Sequence, residues 1–137
     1  MEQPIELACI IDDDNIYVNL VKKIIEIKKL SRNLIIFKNG QEALDYFKPN
    51  LEKMSQEGLP DIIFLDLNMP VMDGWEFLGE FVKIKNSFNK KINLYVVSSS
   101  IDPRDLERAK SFNLVADYLI KPIELKKFEK IFDQEVA

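Results

Sequence analysis

The run Asp61 to Gly74, DIIFLDLNMPVMDG, constrains the fold more than any other stretch of the chain. Ile62 to Leu65 are apolar without interruption, the pattern of a strand covered on both faces, as in a parallel sheet. The run leads straight into Asp66, so a carboxylate stands at the carboxyl end of that strand. Pro70, with no N–H and a fixed φ, stops the strand and starts a loop. Asp73-Gly74 is turn chemistry, and Trp75-Glu76-Phe77-Leu78 opens a helix. An acid at the end of a buried strand, backed by a rigid loop, sits where open parallel sheets place their chemistry.

The rest of the chain repeats this scheme. Ile5 to Ile11 is a first strand, ending in Asp12-Asp13-Asp14. From Ile16 to about Leu30 the spacing predicts a helix, with Ile16, Leu20, Ile24 and Ile27 on one side and Val21 and Ile25 beside them. Leu34 to Phe37 is a second strand, and Asn39-Gly40 turns into a helix carrying Ala43, Leu44 and Phe47. Pro49 interrupts that helix, and Leu51 and Met54 suggest a further short turn before Gly58. Phe77, Leu78, Phe81 and Ile84 mark a third helix, with Trp75, Phe77 and Phe81 read as core and helix surface. Ile92 to Val97 is a fourth strand, followed by Ser98-Ser99-Ser100. Asp102-Pro103 starts a fourth helix, a cap residue followed by proline at the first helical position. Ala116 to Ile120 is a fifth strand, stopping at Lys121-Pro122, and Leu125, Phe128 and Phe132 line the last helix.

Five strands alternating with five helices, and no hairpin signal, give an α/β fold with a parallel sheet. At 137 residues the chain is read as one domain, residues 1–137. Parallel strands share one carboxyl edge, and four of them deliver Asp12 and Asp13, Asp66, Ser98 to Ser100, and Lys121 to it. Taken singly, each group is ordinary: a cap, a strand-ending acid, a polar loop, a surface lysine, and a Tyr118 half-buried by packing. Their joint placement is not.

Three carboxylates that close repel, each close pair costing on the order of 4 kcal/mol at an effective dielectric near 20. Lys121 offsets part of this, and the all-oxygen set suits Mg²⁺, which takes one or two carboxylates, waters and a phosphate oxygen. An aspartate can attack phosphorus and form an acyl phosphate, with a cation, a lysine and a hydroxyl around the phosphoryl oxygens. The chain contains no histidine, which excludes histidine metal sites, triads and a histidine phosphodonor role for the chain itself. Its net charge of −4 gives no general attraction to nucleic acid or acidic lipid. The single cysteine, Cys9, lies in an apolar run and fits a reducing compartment. No stretch has membrane-spanning length and no signal peptide is evident, so the expected location is the cytoplasm.

The motifs IIDDDN, IIFLDLNMPVMDG, VVSSS and ADYLIKP together resemble the receiver domain of two-component response regulators over essentially the whole chain. The resemblance implies a doubly wound sheet of order 2-1-3-4-5 and a phosphoryl group received from a phosphohistidine on a sensor histidine kinase or histidine phosphotransfer protein. It implies that Asp66 is the phosphoacceptor. Asp13, the Asp66 carboxylate and the Asn68 main-chain carbonyl form the Mg²⁺ shell, with Asp12 supporting it partly through water. Ser99 contacts the phosphoryl group and Lys121 pairs with it. Tyr118 stands at the aromatic switch position, and the Lys121-Pro122 peptide is often cis in such proteins. The 22 residues from Ser99 to Lys121 select Ser99 over Ser98, although Ser98 replaces an apolar residue of the family pattern. Asn15 stands where proline is frequent, and residues 48–60 are longer than in compact members. The resemblance implies a stand-alone signalling module whose output is binding, not an enzyme.

Two other classes use related parts. A haloacid-dehalogenase-type phosphotransferase also has a nucleophilic aspartate, a lysine and Mg²⁺, but its nucleophile normally ends the first strand with a second acid two residues on. Here that slot holds Asn68. A flavin-binding protein of the same topology needs a phosphate-cradling loop that the acidic first turn does not provide.

Overall fold

The computed structural model describes residues 5–48, 59–85 and 91–136. Five strands, β1 (Ile5–Ile11), β2 (Ser31–Phe37), β3 (Ile62–Asp66), β4 (Asn93–Ser98) and β5 (Val115–Ile120), form one sheet of order β2-β1-β3-β4-β5. Every neighbouring pair is parallel. The helices α1 (Asn15–Lys28), α2 (Gly40–Phe47), α3 (Gly74–Ile84), α4 (Pro103–Lys110) and α5 (Leu125–Val136) connect and follow them.

The central strand is the reason the sheet needs cover on both faces. All five residues of β3 are buried, and alternation sends them to two cores. Ile63 and Leu65 join a cluster with Leu44, Phe47, Phe77, Phe81 and Val96. Ile62 and Phe64 join the opposite cluster with Val21, Ile25, Tyr95, Val97, Phe128 and Phe132. Within the latter, the Phe64 ring stacks on Phe128 at 4.9 Å between centroids and on Tyr95 at 5.7 Å. Offset aromatic pairs of this kind contribute roughly 0.5–1.5 kcal/mol each beyond buried area.

Local chemistry fixes the helix starts. Asp14 caps α1, its carboxylate accepting from the N–H of Ile16 and Tyr17, and Lys29 ends the helix in the left-handed region at φ 53°. Asp73 and Glu76 form a reciprocal capping box at α3, and Asp102 caps α4 ahead of Pro103. Gly74 is required by space: a Cβ there meets the Asp66 carbonyl oxygen at 2.5 Å and the Leu67 Cα at 2.8 Å. The loop after β3 therefore lies directly against the strand end.

The sequence spacing left open which stripe of α1 is buried, and one strand boundary needs correction. The buried face of α1 is Val18, Val21 and Ile25, whereas Ile16, Leu20 and Ile27 are 84%, 56% and 74% exposed. A four-residue apolar spacing cannot tell which of two adjacent stripes meets the sheet. Strand β2 begins at Ser31, three residues before the expected start, because an edge strand carries polar residues that apolar runs do not reveal. The helical turn expected around Leu51 and Met54 lies outside the described residues.

Candidate functional site

The carboxyl edge collects the polar residues that follow the strands. Asp12 continues β1, its N–H donating to the Phe37 carbonyl at 2.9 Å, and its side chain is 2% exposed. Its Oδ1 accepts from the Asp14 N–H at 2.9 Å, which ties the acidic turn into a fixed shape. Asp14 itself is committed to the helix cap. Asp66 ends β3 and is 6% exposed, while Asp13 is open to solvent. One carboxylate oxygen from each of Asp12, Asp13 and Asp66 lies within 4.8 Å of the others.

Lys121 brings the compensating charge. Its Nζ is 2.8 Å from Asp12 Oδ2 and 3.5 Å from Asp66 Oδ1, on a side chain 16% exposed. Burial works against the Lys121 ammonium, but the hydrogen bond and charge of Asp12, with those of Asp66, outweigh it and hold its pKa above the ordinary lysine value. One ammonium is not enough for the cluster. The Asp66 pKa is pushed up from 3.8 to about 6, first by burial and then by the charge of Asp12; Asp13 adds to the rise, and Lys121 and the Asn68 N–H only partly oppose it. A divalent cation with oxygen preference answers that imbalance, and a set of two buried carboxylates and one exposed carboxylate fits Mg²⁺ with retained waters. Asn68 is exposed immediately beyond Asp66.

Ser98 to Ser100 make the hydroxyl side of the edge. Ser98 is the last residue of β4, fully buried, and its carbonyl accepts from the Lys121 N–H at 2.9 Å. Ser99 is exposed and outside the ladder. Alternation puts Ser98 on the same sheet face as Val96, the face on which Tyr118 packs, and Val96 pairs directly with Tyr118. The β4–β5 register shifts at Leu94 and Tyr95, where β5 carries one residue more than β4. Alternation thus turns Ser98 to the face opposite Asp66, where its hydroxyl oxygen accepts from the Ser100 N–H at 3.1 Å, and gives Ser99 the parity of Val97, on the face of Phe64 and Asp66.

Tyr118 is half-buried, and its hydroxyl donates to the Ser100 carbonyl at 2.9 Å. Ser100 is held in turn by its own hydroxyl, which donates to Asp105 at 2.6 Å. The β4–α4 loop and the Tyr118 ring are therefore one hydrogen-bonded unit. The Lys121-Pro122 peptide is cis. Sequence reasoning missed Tyr17, whose ring lies under the Lys121 ammonium with Nζ 4.4 Å from its centroid. The signal available was its place in the first turn of a helix that starts at the acidic run.

The model of the response regulator receiver domain matches residues 8–133. The chain belongs to this family.

Among relatives of this receiver, the probable methanogenesis regulatory protein FilR2 of Methanothrix harundinacea is 28% identical over 93% of the chain and 79% of its own length. Response regulator Rcp1 of Synechocystis sp. is 27% identical over 93% of the chain and 84% of its own length. A crystal structure of a two-component response regulator from Cytophaga hutchinsonii superposes with a TM-score of 0.83 at 26% identity, covering 96% of this chain and 97% of the other. The Mn(2+)-bound form of Rcp1 shares the fold, with a TM-score of 0.71 at 24% identity over 94% and 90% of the two chains. The strand order 2-1-3-4-5 is that implied by the receiver resemblance. Receiver domains are signalling domains that accept phosphoryl groups from histidine kinases or phosphotransfer proteins, and this chain is a phosphoacceptor of two-component signalling. The haloacid-dehalogenase alternative finds no support: Asp66 ends the third strand in sequence, and the family match is to receivers. Among the described residues no helix is long and apolar enough to cross a membrane.

Proposed function

We propose that this single receiver domain takes a phosphoryl group onto Asp66 and passes the change on by altering a protein-binding surface, with no catalytic output of its own. The observation that carries the reading is Asp66 itself, a strand-end carboxylate backed by two further carboxylates and faced by one lysine. The donor is a phosphohistidine on a sensor histidine kinase or histidine phosphotransfer protein. Its N–P bond breaks as a bond forms between phosphorus and a carboxylate oxygen of Asp66, and the departing imidazole keeps the electron pair and takes up a proton.

Asp13, Asp66 and the Asn68 main-chain carbonyl would hold Mg²⁺, supported by Asp12, and the bound ion would supply positive charge beside the transferring phosphoryl oxygens. Lys121 shifts from Asp12 toward the new oxygens. Ser99 offers its hydroxyl from just beyond the end of β4. Movement of that hydroxyl is felt by the β4–α4 loop that begins there, and so by Tyr118, whose hydroxyl is bonded to the Ser100 carbonyl. A partner that prefers one of the two loop states shifts the population by its differential affinity.

Acetyl phosphate with Mg²⁺ tests the acceptor. The intact mass of the wild type rises by one phosphoryl group, hydroxylamine removes it, and Asp66→Asn gains none. A phosphoryl adduct that persists in Asp66→Asn places the acceptor elsewhere.

A further inference from the structure

Tyr17 stands in the first turn of α1, and the cap that starts the helix fixes where its ring goes. The Asp14 carboxylate accepts from the N–H of Ile16 at 3.1 Å and of Tyr17 at 3.2 Å, so the Tyr17 backbone is anchored one residue away from Asp13. The side chain is half-buried and packs against the cluster that holds Ile10, Phe64 and Val97, on the sheet face to which alternation directs Asp66. Lys121 Nζ rests 4.4 Å from the ring centroid, 2.8 Å from Asp12 and 3.5 Å from Asp66. The ammonium therefore has three partners, two anionic and one aromatic.

These partners do not act alike. Asp12 draws the ammonium toward the root of the acidic turn, away from where a phosphoryl group bound to Asp66 lies. An aromatic face attracts a cation without donating or accepting a proton, and the attraction grows when the pair is shielded from water. It is also weakly directional, so the lysine can slide across the ring from Asp12 toward Asp66 without losing it. A carboxylate in the same place offers no such freedom, and water there lets the side chain swing out.

We propose that Tyr17 is a positioning residue for phosphoryl acceptance: its ring face is the floor on which the Lys121 ammonium is held at the acidic cluster and moves toward the phosphoryl oxygens on Asp66. The proposal rests on the reading of Asp66 as acceptor, and it assigns to Tyr17 a role through Lys121 with no contact to the phosphoryl group. The feature that matters is the π face, and the phenolic hydroxyl is dispensable.

The test compares wild type with Tyr17→Phe and Tyr17→Leu by two readouts. The first is the proton and carbon shift of the Lys121 ε-methylene, which a ring face moves upfield. The wild type and Tyr17→Phe show the upfield shift, and Tyr17→Leu returns to the ordinary lysine position. The second is the rate of phosphoryl addition from acetyl phosphate at saturating Mg²⁺. Tyr17→Leu slows about fivefold, the size expected for losing one partly shielded cation–ring contact, and Tyr17→Phe restores the rate. An ordinary Lys121 shift in the wild type overturns the proposal and needs no variant to fold. Equal slowing in Tyr17→Phe and Tyr17→Leu also overturns it, because it places the role on the hydroxyl. Phosphoryl addition that ignores Asp66→Asn removes the acceptor reading instead, whatever the Lys121 shift shows.

Discussion

Lys121 is closer to Asp12 than to Asp66, at 2.8 Å against 3.5 Å, so the one lysine of the cluster is paired chiefly with the supporting carboxylate. Asp66 is left with more repulsion than attraction, as its raised pKa records. Asp66, the proposed acceptor, is thus held in a state that a cation, a proton or a phosphoryl group with its own counter-ion relieves.

Mg²⁺ relieves it first. Titration of the wild type gives saturable binding, read by Trp75 fluorescence or by amide shifts after β1 and β3. Asp13→Ala and Asp66→Ala each weaken it by tenfold or more, on the order of 1.4 kcal/mol. Unchanged titrations in both variants remove the ion from this cluster.

A proton relieves it next, and the sign is fixed by the direction of the shift. Because the Asp66 pKa is about 6 in the folded chain against 3.8 ordinarily, the folded state binds that proton more tightly than the unfolded state. Without divalent ions, the stability due to this group is fully present below about pH 4 and lost as pH rises to about 6. Asp66→Asn removes the loss, so at pH 7.5 in EDTA it unfolds at higher urea than the wild type, by about 1–2 kcal/mol. The gap closes below about pH 4. Urea midpoints that differ equally at pH 4 and pH 7.5 refute this account.

The hydroxyl assignment separates two neighbours. With beryllofluoride, which imitates the bound phosphoryl group, wild type and Ser98→Ala show amide shifts reaching residues 102–112 and Tyr118. Ser99→Ala keeps the shifts near Asp66 and loses much of the distant set. The reverse result moves the role to Ser98.

Val71, 80% exposed, holds φ at 69°, a region that β-branched side chains occupy at a cost of roughly 1–2 kcal/mol. Asn tolerates that region, and the exposed valine gives up little packing. Val71→Asn therefore raises stability by about 0.5–1 kcal/mol, seen as a Tm a few degrees higher. A lower Tm shows that the loop after β3 needs the valine for contacts.

Much of the scaffold was legible because burial on two faces writes itself as unbroken apolar runs. Ile62 to Leu65 and Ile5 to Ile11 announced β3 and β1, and the acids after them announced the edge where chemistry collects. The edge strand β2 hid its first three residues behind Ser31, Arg32 and Asn33, since one open side permits polar residues. The face of α1 was ambiguous between stripes about one residue apart on the helix. Tyr17 was missed for a different reason: its place after the acidic run hints only at nearness, because the cation–ring contact joins residue 17 to residue 121 and no local pattern records such a pair.

The full burial of β3 between β1 and β4 sets two clocks on one strand. The amides of Ile63 to Leu65 are closed to solvent deuterium until the sheet opens as a whole, and so belong among the slowest to exchange in the molecule. On the proposed function the carboxyl group one residue further on meets its donor at the rim without any such opening. A signal arriving at Asp66 is thus written next to amides that are among the slowest in the protein to exchange.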